Sequence, residues 1–489
     1  MDLTEKVSAR NKFTYSIGGI GRDMLYTLVS MYLFIYLSYY VGLDKGELIG
    51  ITIVMIITRI WDAVNDPMMG VIIENTKSKY GKFKPWILAG ALTNALVTML
   101  LFTDFGFSGF GFVLWFAFLY LLWEMTYTMN DISYWTMYST FSVDQKEREK
   151  VGSLARICAN IGAFGAVVLI PLFYNGNKSG SRAFQWMAIV IGVLFILCQL
   201  LVVFGVKEQP NAIIDQAKKE KAKISFKKMV KVIFQNDQLV IIALVILLFN
   251  VGFYITINCG QFYFNYVYLN YGGFEYSLFA LALGGSQLLA LLLYPLFSKR
   301  FNRKQMFKLS VILVVIGYLG FLLCSLILPQ RLAGLLVFGF ILFFGEGLIQ
   351  LIVLVLLTDT IEYGQWKLGK RYESIYFALN PFVTKLASAV YILFVNGTML
   401  LSGLYQINKR VSEMEKDKAL GLIDGSLIKD YINSNVDKYM QNSLIVTMLI
   451  IPLFFIVGSY LFYRRKYRID EKFYGEIIAE LKERTESQE

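Results

Sequence analysis

Twelve apolar runs, each long enough to cross a bilayer, constrain this chain more than any other feature of its 489 residues. They lie at about 13–42, 46–74, 85–104, 110–141, 151–173, 184–206, 238–270, 276–297, 308–328, 333–361, 374–402 and 443–464. Hydrocarbon offers no partner to a backbone N–H or C=O, so a spanning segment of about 20 apolar residues must satisfy them internally, as a helix does. With 56% hydrophobic and 17% charged residues and a mean hydropathy of +0.54, the chain reads as an all-α polytopic membrane protein with 12 transmembrane helices.

The basic residues give the orientation. They cluster in alternate connections: Lys77, Lys79, Lys82 and Lys84, then Lys146, Arg148 and Lys150, then Lys207 to Lys231, Lys299 to Lys308, Lys367 to Arg371 and Arg464 to Arg468. The other short connections hold Lys45, Lys178, Arg182 and Arg331. By the positive-inside rule both termini are cytoplasmic, and the formal charge of +11 reflects contact with the lipid bilayer and not with nucleic acid. The N-terminal MDLTEKVSARNK is too charged for a signal peptide, so the first run begins a retained helix. A multi-pass protein of a bacterial cell (inner) membrane, working as a monomer, is the expectation.

The hydrophilic stretch 207–237 separates two groups of six runs, 1–206 and 238–464. Two six-helix bundles joined by a long cytoplasmic loop are the layout of the major facilitator fold. The charged connection 403–442 falls outside the cell and carries periodic pieces, which predicts a partly helical cap; 465–489 predicts a short amphipathic tail helix, too short for an appended regulatory domain.

Against this background the charges inside the runs stand out. Arg59-Ile60-Trp61-Asp62-Ala63-Val64-Asn65-Asp66-Pro67 lies within the second run. A carboxylate at membrane depth costs about 2.5–3.5 kcal/mol on insertion scales. Asp62 and Asp66 share a helix face, with Arg59 on the same side. A structural ion pair between helices is one reading. Two acids against one arginine leave a spare negative charge, however, with Asn65 beside it as a neutral oxygen ligand, and such oxygen clusters bind hard cations. The stronger expectation is a coupling-cation site for Na⁺, Li⁺ or H⁺.

In the first run, Gly18-Gly19-Ile20-Gly21 permits close helix packing, and Arg22-Asp23 is either a neutralised pair or a pair whose carboxylate takes sugar hydroxyls. In the fourth, Tyr127, Asp131 and Trp135 recur every four residues, on one helix face. An acid one turn from an indole suits a sugar, the ring covering its C–H face while the acid holds hydroxyls. Thr128 points elsewhere and could offer a hydroxyl oxygen to Asp62 and Asp66. Arg156 and Lys385 are further charges within runs, and Glu346 and Gln350 lie one turn apart in the tenth. Lys385 is too deep to snorkel.

There is no histidine, so protonation chemistry falls to carboxylates. Cys158, Cys198, Cys259 and Cys324 lie in apolar segments without C-x-x-C spacing, which supports neither a disulfide framework nor a zinc site. Neither a nucleophile–base pair nor a metal cluster is present, so an enzyme is not expected, and no cofactor beyond the coupling cation.

Together R-I-W-D-A-V-N-D-P-M-M-G, K-S-K-Y-G-K-F-K-P-W, W-E-M-T-Y-T-M-N-D-I-S-Y-W, D-Q-K-E-R-E and E-Y-G-Q-W-K-L-G-K-R-Y-E-S-I resemble the glycoside–pentoside–hexuronide:cation symporters, the melibiose permease-like branch of the major facilitator superfamily. The resemblance runs through most of the chain. It implies symport of a sugar or glycoside with a monovalent cation by alternating access, the cation binding first. It assigns Asp62, Asn65, Asp66 and Thr128 to the cation, and Arg22, Asp23, Asp131, Trp135 and Arg156 to the sugar, with Tyr127 beside them. Arg22 stands where melibiose-type members have lysine. From the second half, Lys385 approaches the site. Gln350 and Asn380, which would line the sugar's second face, depart from the melibiose-type residues, so galactoside specificity is not implied. A glucuronide, with Arg22, Arg156 and Lys385 as its partners, is a close variant. A sugar sensor or a lysolipid carrier on the same fold is the remaining alternative.

Overall fold

The computed structural model describes residues 7–76, 78–138, 141, 145–175, 179–206, 226–328, 330–369 and 373–486. Most of the central basic stretch, 207–225, therefore lies outside the described residues. The described chain is helical throughout, without strands. In order the helices are α1 (Ala9–Val41), α2 (Lys45–Asn75), α3 (Lys84–Leu101), α4 (Gly109–Tyr138), α5 (Gln145–Asn175), α6 (Gly180–Gly205), α7 (Phe226–Gln235), α8 (Asp237–Tyr266), α9 (Glu275–Arg300), α10 (Arg303–Ile327), α11 (Leu332–Leu368), α12 (Glu373–Ser402), α13 (Leu404–Ala419), α14 (Gly425–Asn435), α15 (Lys438–Lys466) and α16 (Glu471–Glu486). Among the described residues eleven helices are long and apolar enough to cross a membrane, and the charge-bearing α2, 31 residues long, is a twelfth long helix. The end of the stretch read as a loop, 226–235, forms α7.

The chain divides into two compact units. The first comprises residues 1–222, 271–277 and 399–436; the second comprises 223–270, 278–398 and 437–489. The segment 403–442, which chain order assigns to the second bundle, is thus split: α13 and α14 belong to the first unit.

In the first unit, glycine decides how α1 packs. A Cβ on Gly162 of α5 would lie 2.1 Å from the Ile20 carbonyl oxygen, and one on Gly21 would lie 2.7 Å from the Phe195 Cα of α6. Both contacts are backbone, so no side-chain rotation could make room, and only glycine lets the helices approach this closely. Polar side chains then fix the register. Tyr15 and Tyr134 stack with centroids 4.3 Å apart, and each hydroxyl donates to the other residue's carbonyl, at 3.0 and 2.7 Å. Asn94 Nδ2 donates to Trp123 O, Asn130 Nδ2 to Ile87 O, and Gln199 Nε2 to Gly18 O. In an apolar surround such bonds hold helices by the cost of leaving a polar group unmade. Glu47 ties the starts of α2 and α4 together, accepting from Asp44 N and Gly109 N. Outward, α4 shows Phe110, Leu114 and Phe118, an exposed apolar face suited to lipid.

The cap helix α13 docks on the end of α1. Lys409 Nζ lies 2.5 Å from Asp44 Oδ1, and Ser412 packs on Gly42, whose positive φ of 82° closes α1. Glu415 is buried there beside Lys418, accepting from Tyr271 Oη, and burial raises its pKa above the ordinary carboxylate range.

The second unit is organised by α8, α10, α11 and α15. The hydroxyls of Thr256 and Tyr318 lie 2.6 Å apart, and Tyr318 Oη donates to buried Glu346 Oε1 at 3.1 Å. The tail helix α16 packs on the end of α11, where Phe473 meets Trp366 edge-on and Trp366 Nε1 donates to Glu480 Oε2. Arg303 pairs with Asp359, and Lys367 with Asp237.

Candidate functional site

Two clusters on α4 draw the intramembrane charges of the first unit together. The first centres on Arg22. Its Nη2 lies 2.7 Å from Asp23 Oδ1 and its Nη1 3.1 Å from Asp131 Oδ1, so one guanidinium from α1 bridges its own neighbour and an acid of α4. The Arg22 side chain is only 3% exposed, whereas Asp23 and Asp131 are 26% and 35% exposed. The arginine is the buried anchor, and the two carboxylates are the partly exposed members of the cluster. Trp135 lies beside them, its ring centroid 4.7 Å from the Arg22 Cζ and 5.6 Å from that of exposed Arg156. Acids that accept hydroxyl hydrogens, an indole face and an exposed guanidinium are together the functional groups that hold a polyhydroxylated ring. Tyr127 lies one turn before Asp131 on α4. Its ring stacks on Trp123 at 5.5 Å and packs on Tyr26 at 5.0 Å, in a ladder along α4 that continues through Tyr120 and Phe116.

The second cluster joins α2 to α4. Thr128 Oγ1 donates to Asp66 Oδ1 at 3.2 Å. Asp62 is fully buried, one turn away along α2, with Asn65 buried beside it. Along this stretch two carboxylates, an amide and a hydroxyl supply oxygens only, the chemistry that suits a hard monovalent cation. Among the described residues no three His, Cys, Asp or Glu side chains converge on a metal centre, so any ion held here relies on the neutral oxygens as well.

Arg59 is where the sequence reading was incomplete. Its Nη1 lies 3.6 Å from Asp62 Oδ2 but 2.9 Å from Glu124 Oε1, and its Nη2 donates to Tyr120 Oη at 3.2 Å. Glu124, 3% exposed, had a visible signal: an acid inside the fourth run, four residues before Thr128.

The residues drawn from the second half lie in the second unit. Gln350 is exposed on α11, while Glu346, one turn earlier, turns inward to Tyr318. Asn380 and Lys385 are half-buried on α12, around Pro381.

The family described as MFS/sugar transport protein matches residues 14–471. The chain is 29% identical to the lactose permease of Leuconostoc lactis over 98% of its own length and 73% of that protein's. It is 28% identical to the raffinose carrier protein of Pediococcus pentosaceus, over 80% of this chain and 62% of the carrier. Both relatives are thus longer than the present chain. The isoprimeverose transporter of Lactiplantibacillus pentosus is 25% identical over 81% of each. Among solved structures, a D-xylose-proton symporter superposes with a TM-score of 0.56 at 13% identity, over 88% of this chain and 98% of that one, which speaks to the fold alone. From the family match, these relatives and the helical architecture, the chain belongs to the MFS/sugar transport family, as a multi-pass membrane carrier of the glycoside–pentoside–hexuronide:cation symporter type.

Proposed function

We propose that this carrier imports a glycoside or oligosaccharide in symport with Na⁺, Li⁺ or H⁺, by alternating access, as a monomer with both termini in the cytoplasm. The observation that carries the reading is the position of Thr128 and Asp131, three residues apart on α4. Thr128 bonds Asp66 of the acid pair, and Asp131 bonds Arg22 of the sugar-type cluster. A cation held by Asp62 and Asp66 would draw on the Thr128 hydroxyl, and so fix the turn of α4 that also presents Asp131. Sugar binding then strengthens with cation bound, and the coupling is reciprocal.

Arg22 is consumed by two acids, so its cluster suits a neutral sugar's hydroxyls. The exposed guanidinium of Arg156 favours a second reading, in which the substrate carries a carboxylate, as a glucuronide does, with Lys385 as a further partner.

Uptake into proteoliposomes, with Na⁺, Li⁺ and pH gradients imposed separately, tests both. A panel of neutral glycosides and uronides should contain one class that accumulates under one gradient. The variant Lys385→Gln should then depress uronide uptake about tenfold more than neutral-sugar uptake if the substrate is anionic. Equal losses rule the uronide reading out. Absence of gradient-driven uptake by folded protein overturns symport itself.

A further inference from the structure

Arg59 faces two acids, and only one of them belongs to the candidate cation site. Its charge is permanent, because a guanidinium does not deprotonate in proteins. Paired closely with Asp62, it would act as a built-in cation, cancelling the charge that a transported ion needs. The geometry shows the opposite preference. Glu124, from α4, holds Nη1 at 2.9 Å, while Asp62 stands off at 3.6 Å, and Tyr120 Oη accepts from the other terminal nitrogen at 3.2 Å. All three charged side chains are 4% exposed or less, so solvent does little to weaken the competition.

We propose that Glu124 is a positioning residue: it draws Arg59 off Asp62 and so keeps Asp62 available to the coupling cation. The inference rests on the cation-symport reading of Asp62 and Asp66. In this arrangement Arg59 has two stations on one nitrogen. Without a cation it shares itself between Asp62 and Glu124. With a cation on Asp62 it goes over to Glu124, so neither the arriving ion nor the arginine is left buried beside like charge. Glu124 favours cation binding in two ways of the same sign, by its own negative charge and by restraining Arg59. Tyr120 fixes the fork so that the movement is a small shift of one nitrogen.

The test measures cation dependence of sugar binding and uptake in the full-length carrier, with the effective cation identified first on wild-type protein. Glu124→Gln keeps the side-chain volume but releases Arg59 to Asp62. The cation concentration for half-maximal sugar binding should rise about tenfold or more, while sugar affinity at saturating cation stays within about threefold of wild type. Glu124→Asp, which keeps the charge on a shorter stem, should recover most of the loss. The double variant Arg59→Gln with Glu124→Gln removes the competing arginine together with the acid that restrains it, and should return half-saturation towards wild type. A merely structural Glu124 would lower sugar affinity and thermal stability without separating them from cation affinity. Unchanged half-saturation in Glu124→Gln, with wild-type cation dependence intact, overturns the proposal and leaves symport standing. If Glu124→Gln does not fold, Glu124→Asp and the double variant decide: half-saturation about tenfold or more above wild type in the double variant overturns it. A wild-type carrier indifferent to every cation overturns this proposal together with the reading beneath it.

Discussion

Carriers with Asp62→Asn or Asp66→Asn should equilibrate sugar but not concentrate it. Asparagine matches aspartate in size, so the helices keep their packing and only the charge goes. Asp62 is fully buried, so the loss of either carboxylate removes negative charge that a desolvated cation there needs. Replacement of Asp66 also removes the charged acceptor of the Thr128 hydroxyl, the contact that connects the cation site to α4. Accumulation ratios should fall to about one, because a carrier that cannot bind the driving ion has no thermodynamic link to its gradient. Sugar binding in the absence of cation should persist, since the Arg22 cluster is untouched. Counterflow with radiolabelled sugar reads the surviving exchange, and gradient-driven uptake reads the loss. Intact Na⁺- or H⁺-dependent accumulation in both variants would remove these acids from the coupling site.

Arg22→Gln should be the most damaging single change in the sugar cluster. The buried guanidinium is the shared counter-charge of Asp23 and Asp131, and its removal leaves two acids facing each other at membrane depth. With that counter-charge gone the two carboxylates repel each other and lose their fixed orientation, so sugar binding should weaken by more than about tenfold. Arg22→Lys should retain much more function, because an ammonium still supplies the charge, although it lacks the fork that reaches both acids and the flat face that lies on Trp135. Isothermal titration of the sugar against the purified variants separates the two. Equal affinities for Arg22→Gln and wild type would show that the pairings are incidental to binding.

Much of the fold was legible because bilayer depth leaves the backbone so few solutions: the apolar runs became long helices nearly in register with their sequence limits. Within one helix, spacing was also informative. The four-residue interval between Asp62 and Asp66, and between Asp131 and Trp135, places them as neighbours along α2 and α4. Interactions between helices were harder to read, because they depend on rotations that single-helix periodicity does not contain. Arg22 and Asp23 read as a pair of sequence neighbours, yet the turn of α4 fixed by the Tyr15–Tyr134 bonds brings in Asp131 as a third member. Glu124 escaped for the same reason, its value arising only where α4 meets Arg59. Tyr127 shares its spacing with Asp131 and Trp135, and its aromatic neighbour on α1, Tyr26, could not be read from that spacing. The docking of α13 on α1 could not be read from chain order, since it brings Ser412 onto Gly42 and Lys409 onto Asp44 across 365 positions.

The indole of Trp135, close to two guanidiniums, also makes the carrier its own optical gauge. Indole emission responds to the local electric field, and here that field comes from Arg22 and Arg156 at 4.7 and 5.6 Å. A sugar seated on the ring would displace water and shift at least the exposed Arg156, altering the colour and yield of one fluorophore among seven. Titrating a transported sugar should therefore change the intrinsic emission of the wild-type protein and leave that of Trp135→Phe nearly flat; identical traces would place the ligand away from this ring. Occupancy could then be followed in real time, without a label, in native vesicles.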